Sequence, residues 1–150
     1  MLREPEISEV EAIRAEVIKL NLQRPVIFDA LTVQDFAAIY NGYGPNDWPE
    51  SVRTIITWVY HNFRPLAAVH NVEFEFSDGT QVGWLIALQR WYDNSATLLN
   101  DRYPLCKFWL VLFRVIAWCK LRTSYEALKR GSWSAWQAAY ERGIEGRGLI

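Results

Sequence analysis

The stretch Leu105-Cys106-Lys107-Phe108-Trp109-Leu110-Val111-Leu112-Phe113-Arg114-Val115-Ile116-Ala117-Trp118-Cys119-Lys120-Leu121 is the densest apolar run in this 150-residue chain. A membrane-spanning helix needs about 20 mostly uncharged residues, and here Lys107, Arg114 and Lys120 break the run. It therefore reads as a buried core helix, opened by Pro104 and ending near Arg122, and that reading makes the fold mainly α. The run also holds both cysteines, Cys106 and Cys119. On one helix, at about 1.5 Å per residue, they stand about 20 Å apart, out of disulfide reach. Two buried thiols in a reducing compartment are expected.

Working outward from the run, Gly131 separates two C-terminal helices, the second capped by Ser132 or Ser134. Upstream, a helix is predicted from about Leu85 to Asn100. Before it, Val72 to Phe76 alternates, Ser77-Asp78-Gly79-Thr80 is a turn, and Gln81 to Trp84 can return, which predicts a small β-hairpin. Pro65 opens a short helix carrying His70, and Pro49 one that runs to about Asn62 with Val52, Ile55, Ile56 and Val59 inward. Thr32 caps a short helix through Ile39, and Ser8-Glu9-Val10-Glu11 reads as a capping box. The helix it opens carries Val10, Ile13, Val17 and Leu20 on one stripe.

The expected architecture is one mainly α domain over residues 1–150 with one small β-hairpin. Residues 1–39 form N-terminal helices, 40–100 the centre, 101–142 C-terminal helices, and 143–150 a flexible tail. The tail's Ile144-Glu145-Gly146-Arg147 matches a common engineered protease site and carries no functional weight.

Net charge is −1, so no global field draws the chain to nucleic acid, and none is expected as a partner. The second half is locally basic at Lys107, Arg114, Lys120, Arg122, Lys129 and Arg130. That spacing suits a solvated helical face first and an anionic partner second. His61 and His70 are the only histidines, no cluster has zinc spacing, and no phosphate-binding loop or nucleophile elbow occurs. Trp109, Trp118, Trp133 and Trp136 are either core or binding anchors. Trp133 and Trp136, near Lys129 and Arg130, have the composition of an interface hot spot.

Three short segments carry a family likeness. Asn41-Gly42-Tyr43-Gly44-Pro45 is a glycine loop able to turn carbonyls inward, Pro65-Leu66-Ala67-Ala68-Val69-His70-Asn71 ends in a histidine, and Ala87-Leu88-Gln89-Arg90-Trp91-Tyr92-Asp93 follows downstream. Together they resemble the phospholipase A2-like proteins, both the secreted enzymes and the lipase domains of parvovirus capsids, over roughly residues 40–94. The resemblance implies a central helix pair in which His70 is the general base on water. It also implies a calcium ion held by Gly42, Gly44 and position 71, and a carboxylate at position 88 orienting the imidazole. This chain departs from the pattern at both acidic positions, with Asn71 beside the histidine and Leu88 on the facing helix. A neutral amide weakens a calcium site, and leucine cannot orient or stabilise an imidazolium.

The resemblance with these departures implies a pseudoenzyme: a non-catalytic accessory, virion or assembly protein acting through protein–protein contacts and needing no cofactor. The overall look resembles small proteins of bacteriophages and prophages, which places it in solution in the host cytoplasm or the virion. The binding residues expected are Tyr43, Trp91, Trp133, Trp136, Lys129 and Arg130, around the pocket near His70 or on the C-terminal helices. The alternative is an active Ca2+-dependent phospholipase, with His70 as base and membrane lipid as substrate during phage entry or lysis.

Overall fold

The computed structural model describes residues 6–40 and 49–146. Its elements are helical throughout: α1 (Ile7–Lys19), α2 (Ile27–Ala30), α3 (Val33–Ile39), α4 (Glu50–Val59), α5 (Arg64–Glu75), α6 (Gln81–Arg102), α7 (Val111–Gly131) and α8 (Trp133–Gly146). Short 3-10 turns at His61–Phe63 and Phe108–Leu110 lead into α5 and α7. The chain divides into two compact units, Met1–Val72 and Glu73–Ile150.

In the first unit α1 buries Val10, Ile13 and Val17, one stripe at helical spacing, and packs against α3. Helix α1 begins at Ile7 with Glu6 in the cap position and no side-chain cap, so Ser8 falls inside the helix and the capping box expected there does not form. Its end is a Schellman turn: Asn21 N–H donates to Ile18 O, Leu22 N–H donates to Val17 O, and Asn21 takes φ +48°. Asparagine tolerates that left-handed conformation better than other residues with a side chain. Thr32 caps α3 as expected, its hydroxyl accepting from Asp35 N–H while the Asp35 carboxylate accepts from Thr32 N–H. The core is aromatic at its centre, with Phe28 and Phe36 edge to face at 5.2 Å and Tyr40 stacked on Phe36. Arg64 of α5 pairs with Glu9 of α1. The expected inner face of α4 is not inward: Val52 and Ile55 are exposed, as is Trp58.

In the second unit α6, α7 and α8 pack on one another. Helix α6 buries Ala87, Leu88, Trp91, Asn94, Ser95, Leu98 and Leu99, a repeat that follows one helical face for four turns. From α8, Trp136 and Ala139 enter the core, with Trp136 edge-on to Phe74 at 5.2 Å. Arg114 of α7 locks the α6–α7 connection. Its guanidinium donates to Leu99 O, Tyr103 O and Asn100 Oδ1, adding to the Tyr103 N–H that closes onto Leu99 O at the end of α6.

Several expectations fail here for identifiable reasons. No strand occurs among the described residues, so the β-hairpin is overturned. The turn at Ser77–Thr80 is real, with Gly79 at φ +68°, but it joins two helices. Thr80 accepts from Gly83 N–H and caps α6, while α5 runs through Glu75. Five alternating residues cannot fix a period of two when an N-cap follows them, and burial does not alternate: Val72 and Glu73 are both inside.

The apolar run does not begin a helix at Pro104. Lys107 N–H closes a turn onto Pro104 O, and α7 then extends from Val111 to Gly131. Nor is the run a buried core. Of α7 only Ala117 and Leu121 are buried, because α6 and α8 cover one side of a helix that is apolar on nearly every side. Cys106 and Cys119, expected inside, are both exposed. Helix α8 also carries the chain helically to Gly146, into the stretch expected as a tail.

Candidate functional site

The residues singled out from sequence fall into three groups. Gly42, Tyr43 and Gly44 lie outside the described residues, so the glycine loop of the expected calcium site has no described geometry. Among the described residues no group of three or more His, Cys, Asp or Glu could hold a metal ion.

The second group sits on α5 and α6. His70 and Asn71 lie on α5, and burial pushes the His70 imidazole down to about 4, so it is neutral at pH 7. Leu88 and Trp91 are core residues of α6, 3% and 5% exposed, so Trp91 is no surface anchor. Asp93 accepts from Gln89 on its own helix, as its spacing from Leu88 suggests. Glu73, three residues beyond His70, is the titratable group with the most altered environment in the second unit. It is buried and paired with Arg90 of α6 at 3.0 Å. Burial raises its carboxyl to about 8, with Arg90 pulling in the opposite direction.

The third group was expected to form an aromatic and basic contact surface. Trp136 is instead buried in the core of the second unit, and Trp133 is half-buried against Trp84 at 5.6 Å. Trp84 Nε1–H donates to Ser132 Oγ, and Ser77 Oγ–H donates to Trp136 O. Lys129 and Arg130 are exposed in the last turn of α7, where cations favour the negative end of a helix.

What the structure brings to the surface is the run that sequence placed inside. Leu105, Phe108, Trp109, Val111, Leu112, Phe113, Val115, Ile116 and Trp118 are each 47–78% exposed. They occupy the α6–α7 connection and the first two turns of α7. Taken together they expose on the order of 1,000 Å² of apolar surface. Lys107, Lys120 and Arg122 border them, and no acidic residue lies between Asp101 and Glu126. Beside this face a groove of about 220 Å³ runs between α6 and α7, lined by Tyr92, Ser95, Asn100, Arg114, Trp118 and Tyr125. Its Arg114 already holds the end of α6, and Tyr92 packs edge to face on Tyr125. The groove is a seam between helices, and the apolar face beside it is the larger feature.

Comparisons with protein-family models, with curated proteins and with solved structures return no match for this chain. The functional reading therefore stands on the geometry above.

The signal for this face was present in the sequence but pointed the other way. A run without helical periodicity, apolar on every side, has no feature that says which side its neighbours cover.

Proposed function

We propose that this chain is a non-catalytic accessory or assembly protein that works by protein–protein contact through the outer side of α7. One observation carries the reading: the exposed apolar face from Leu105 to Trp118. The largest apolar patch on an ordinary monomer is about 300–600 Å², and a standard protein interface buries about 800 Å² per partner. A face on the order of 1,000 Å², with four aromatic rings and a basic border, has the size and composition of a contact surface. Leaving it in water costs solubility and gives nothing back to the fold, since Ala117 and Leu121 already supply the inward contacts of this part of α7.

The test is a photo-crosslinking residue placed at Leu112 in the cells that express the chain, with the same residue at exposed Gln34 of α3 as control. The reading expects a discrete protein adduct from position 112 and none from position 34. Adducts to lipid alone, or no adduct at position 112, would contradict it.

A further inference from the structure

The groove between α6 and α7 holds an arginine with donors to spare. Arg114 lines it together with three aromatic side chains, Tyr92, Trp118 and Tyr125. A guanidinium carries five N–H donors, two on each Nη and one on Nε. Arg114 donates from Nη1 to Leu99 O and Tyr103 O, and from Nη2 to Asn100 Oδ1. Its Nε–H and one Nη2–H meet no acceptor among the described residues. A neighbouring pair of guanidinium N–H groups matches the two oxygens of a carboxylate.

We infer that this groove binds a free, single-ring aromatic carboxylic acid, its carboxylate on Arg114 and its ring against Tyr92, Trp118 and Tyr125. The site lies in the seam and not on the outer side of α7, so it stands apart from the contact reading above. Only Trp118 belongs to both. Charge selects the acid. The three acceptors of Arg114 are neutral, and the end of α6 supplies about half a negative charge. Arg122, the other cation on the groove, is already paired with Glu126 at 3.3 Å. No acidic residue lines the groove among the described residues. The positive charge left over is about half to one unit. That suits a carboxylate and falls short of a phosphate group at about −1.5 to −2.

Size and lining select one ring. At about 220 Å³ the groove is smaller than the roughly 300–1,000 Å³ of sites for drug-sized ligands. It is larger than the cavity of about 150 Å³ that holds benzene. A ring with a short acid arm fits between those limits, and a long acyl chain does not. Tyr92 and Tyr125, edge to face at 5.5 Å, give the ring a preformed aromatic wall. The buried Leu99 and Leu121 complete the apolar lining.

The experiment is an NMR titration of the isotope-labelled full chain with phenylacetate, and with acetate and phenethylamine as matched probes. Phenylacetate should saturate resonances of α6 and α7 around the groove with a Kd of about 1 mM or below, as fits a ligand of about ten heavy atoms. Acetate lacks the ring and phenethylamine reverses the charge, so each should bind at least about tenfold more weakly. Ala96→Phe, at an exposed position on the groove, fills the space and should abolish binding with unchanged far-UV circular dichroism. Arg114→Lys keeps the charge and loses the fork, and should weaken phenylacetate about tenfold. Gln137→Ala, exposed on α8, should leave binding unchanged.

Phenylacetate that shifts no groove resonance up to about 10 mM overturns the site. Equal binding of phenethylamine overturns the role of Arg114, and equal binding of acetate overturns the role of the aromatic wall. Full binding by Ala96→Phe places the acid elsewhere and overturns the site as well. Full binding by Arg114→Lys overturns the two-pronged grip on the carboxylate. Should Arg114→Lys fail to fold, Ala96→Phe and the charge-reversed probe decide by themselves. The adduct at Leu112 is a separate readout, so the contact reading and this site stand or fall independently.

Discussion

Helices α6 and α7 are nearly equal in length and pack against each other, yet they use hydrophobicity in opposite ways. Helix α6 mixes polar and apolar residues and buries seven of them on one stripe. Helix α7 holds the most apolar stretch of the chain and buries two. Density of apolar residues thus measures how many faces a helix offers, and periodicity measures how many its own fold covers. Where the two disagree, as on α7, the excess is available to something outside the unit.

The sharpest way to break this contrast is a matched pair of truncations. Leu98→Ala on α6 removes a fully buried side chain and should cost about 2–5 kcal/mol in chemical denaturation. Leu112→Ala on α7 should stay within about 0.5 kcal/mol for the monomer. Equal costs would mean the outer face of α7 is core after all.

Next in size is the pair of glycines that bracket these helices. Gly79, before α6, has φ +68°, and a Cβ there would sit 2.5 Å from the Tyr140 ring. Gly79→Ala should cost about 1–3 kcal/mol. Gly131, at the end of α7, has nothing within 4 Å, so Gly131→Ala should be neutral or stabilising by up to about 1 kcal/mol. Thermal unfolding of the two variants measures the difference directly.

A comparable effect is expected at Arg114, an inward polar tie of the exposed half of α7. Arg114→Ala removes three hydrogen bonds at the end of α6, Leu99 O keeping the Tyr103 N–H, and should cost about 1–3 kcal/mol. Lys120→Ala, on the same helix, should cost less than half as much. Parity of the two would show that the end of α6 is satisfied in another way.

The smallest net effect is a slope in pH, because two groups act in opposite senses over overlapping ranges. Glu73, paired with Arg90 of α6, has its folded carboxyl raised to about 8 from the usual 4.5. Between those values the folded chain holds the proton more tightly than the unfolded one. Stability is therefore fullest below pH 4.5 on this account and declines as pH rises toward 8. His70, lowered to about 4 from 6.5, acts in the opposite sense: its contribution is full above pH 6.5 and is lost as pH falls toward 4. Glu73→Gln should remove the decline between pH 4.5 and 8, and His70→Gln the loss between pH 6.5 and 4. A Glu73→Gln profile unchanged from wild type would contradict the burial of that carboxyl.

How far the sequence could be read follows from how local each signal was. The cap at Thr32, the limits of α3 and the turn at Gly79 were legible because they depend on neighbours three residues away. The hairpin was misread because the same turn that can join two strands also capped α6 through Thr80. The stripe of α1 was legible in Val10, Ile13 and Val17, whose spacing marks one face. The site was not legible for the opposite reason. Trp91, Trp133 and Trp136 looked like anchors by residue type, but helix packing drew them inward. Phe108, Trp109 and Leu112 looked like core by density, but no described element covers them.

The central claim is that the outer side of α7 is exposed in the single folded chain and is meant to be covered. Cys119 reports on it directly, since it lies on that face and is exposed. The measurement is its alkylation rate in the folded, dilute chain against its rate in the cells that make the protein, with exposed Cys106 replaced by serine. The account predicts labelling at a free-thiol rate in the dilute chain and at least about tenfold protection in the cell. Equal rates in both settings would contradict it.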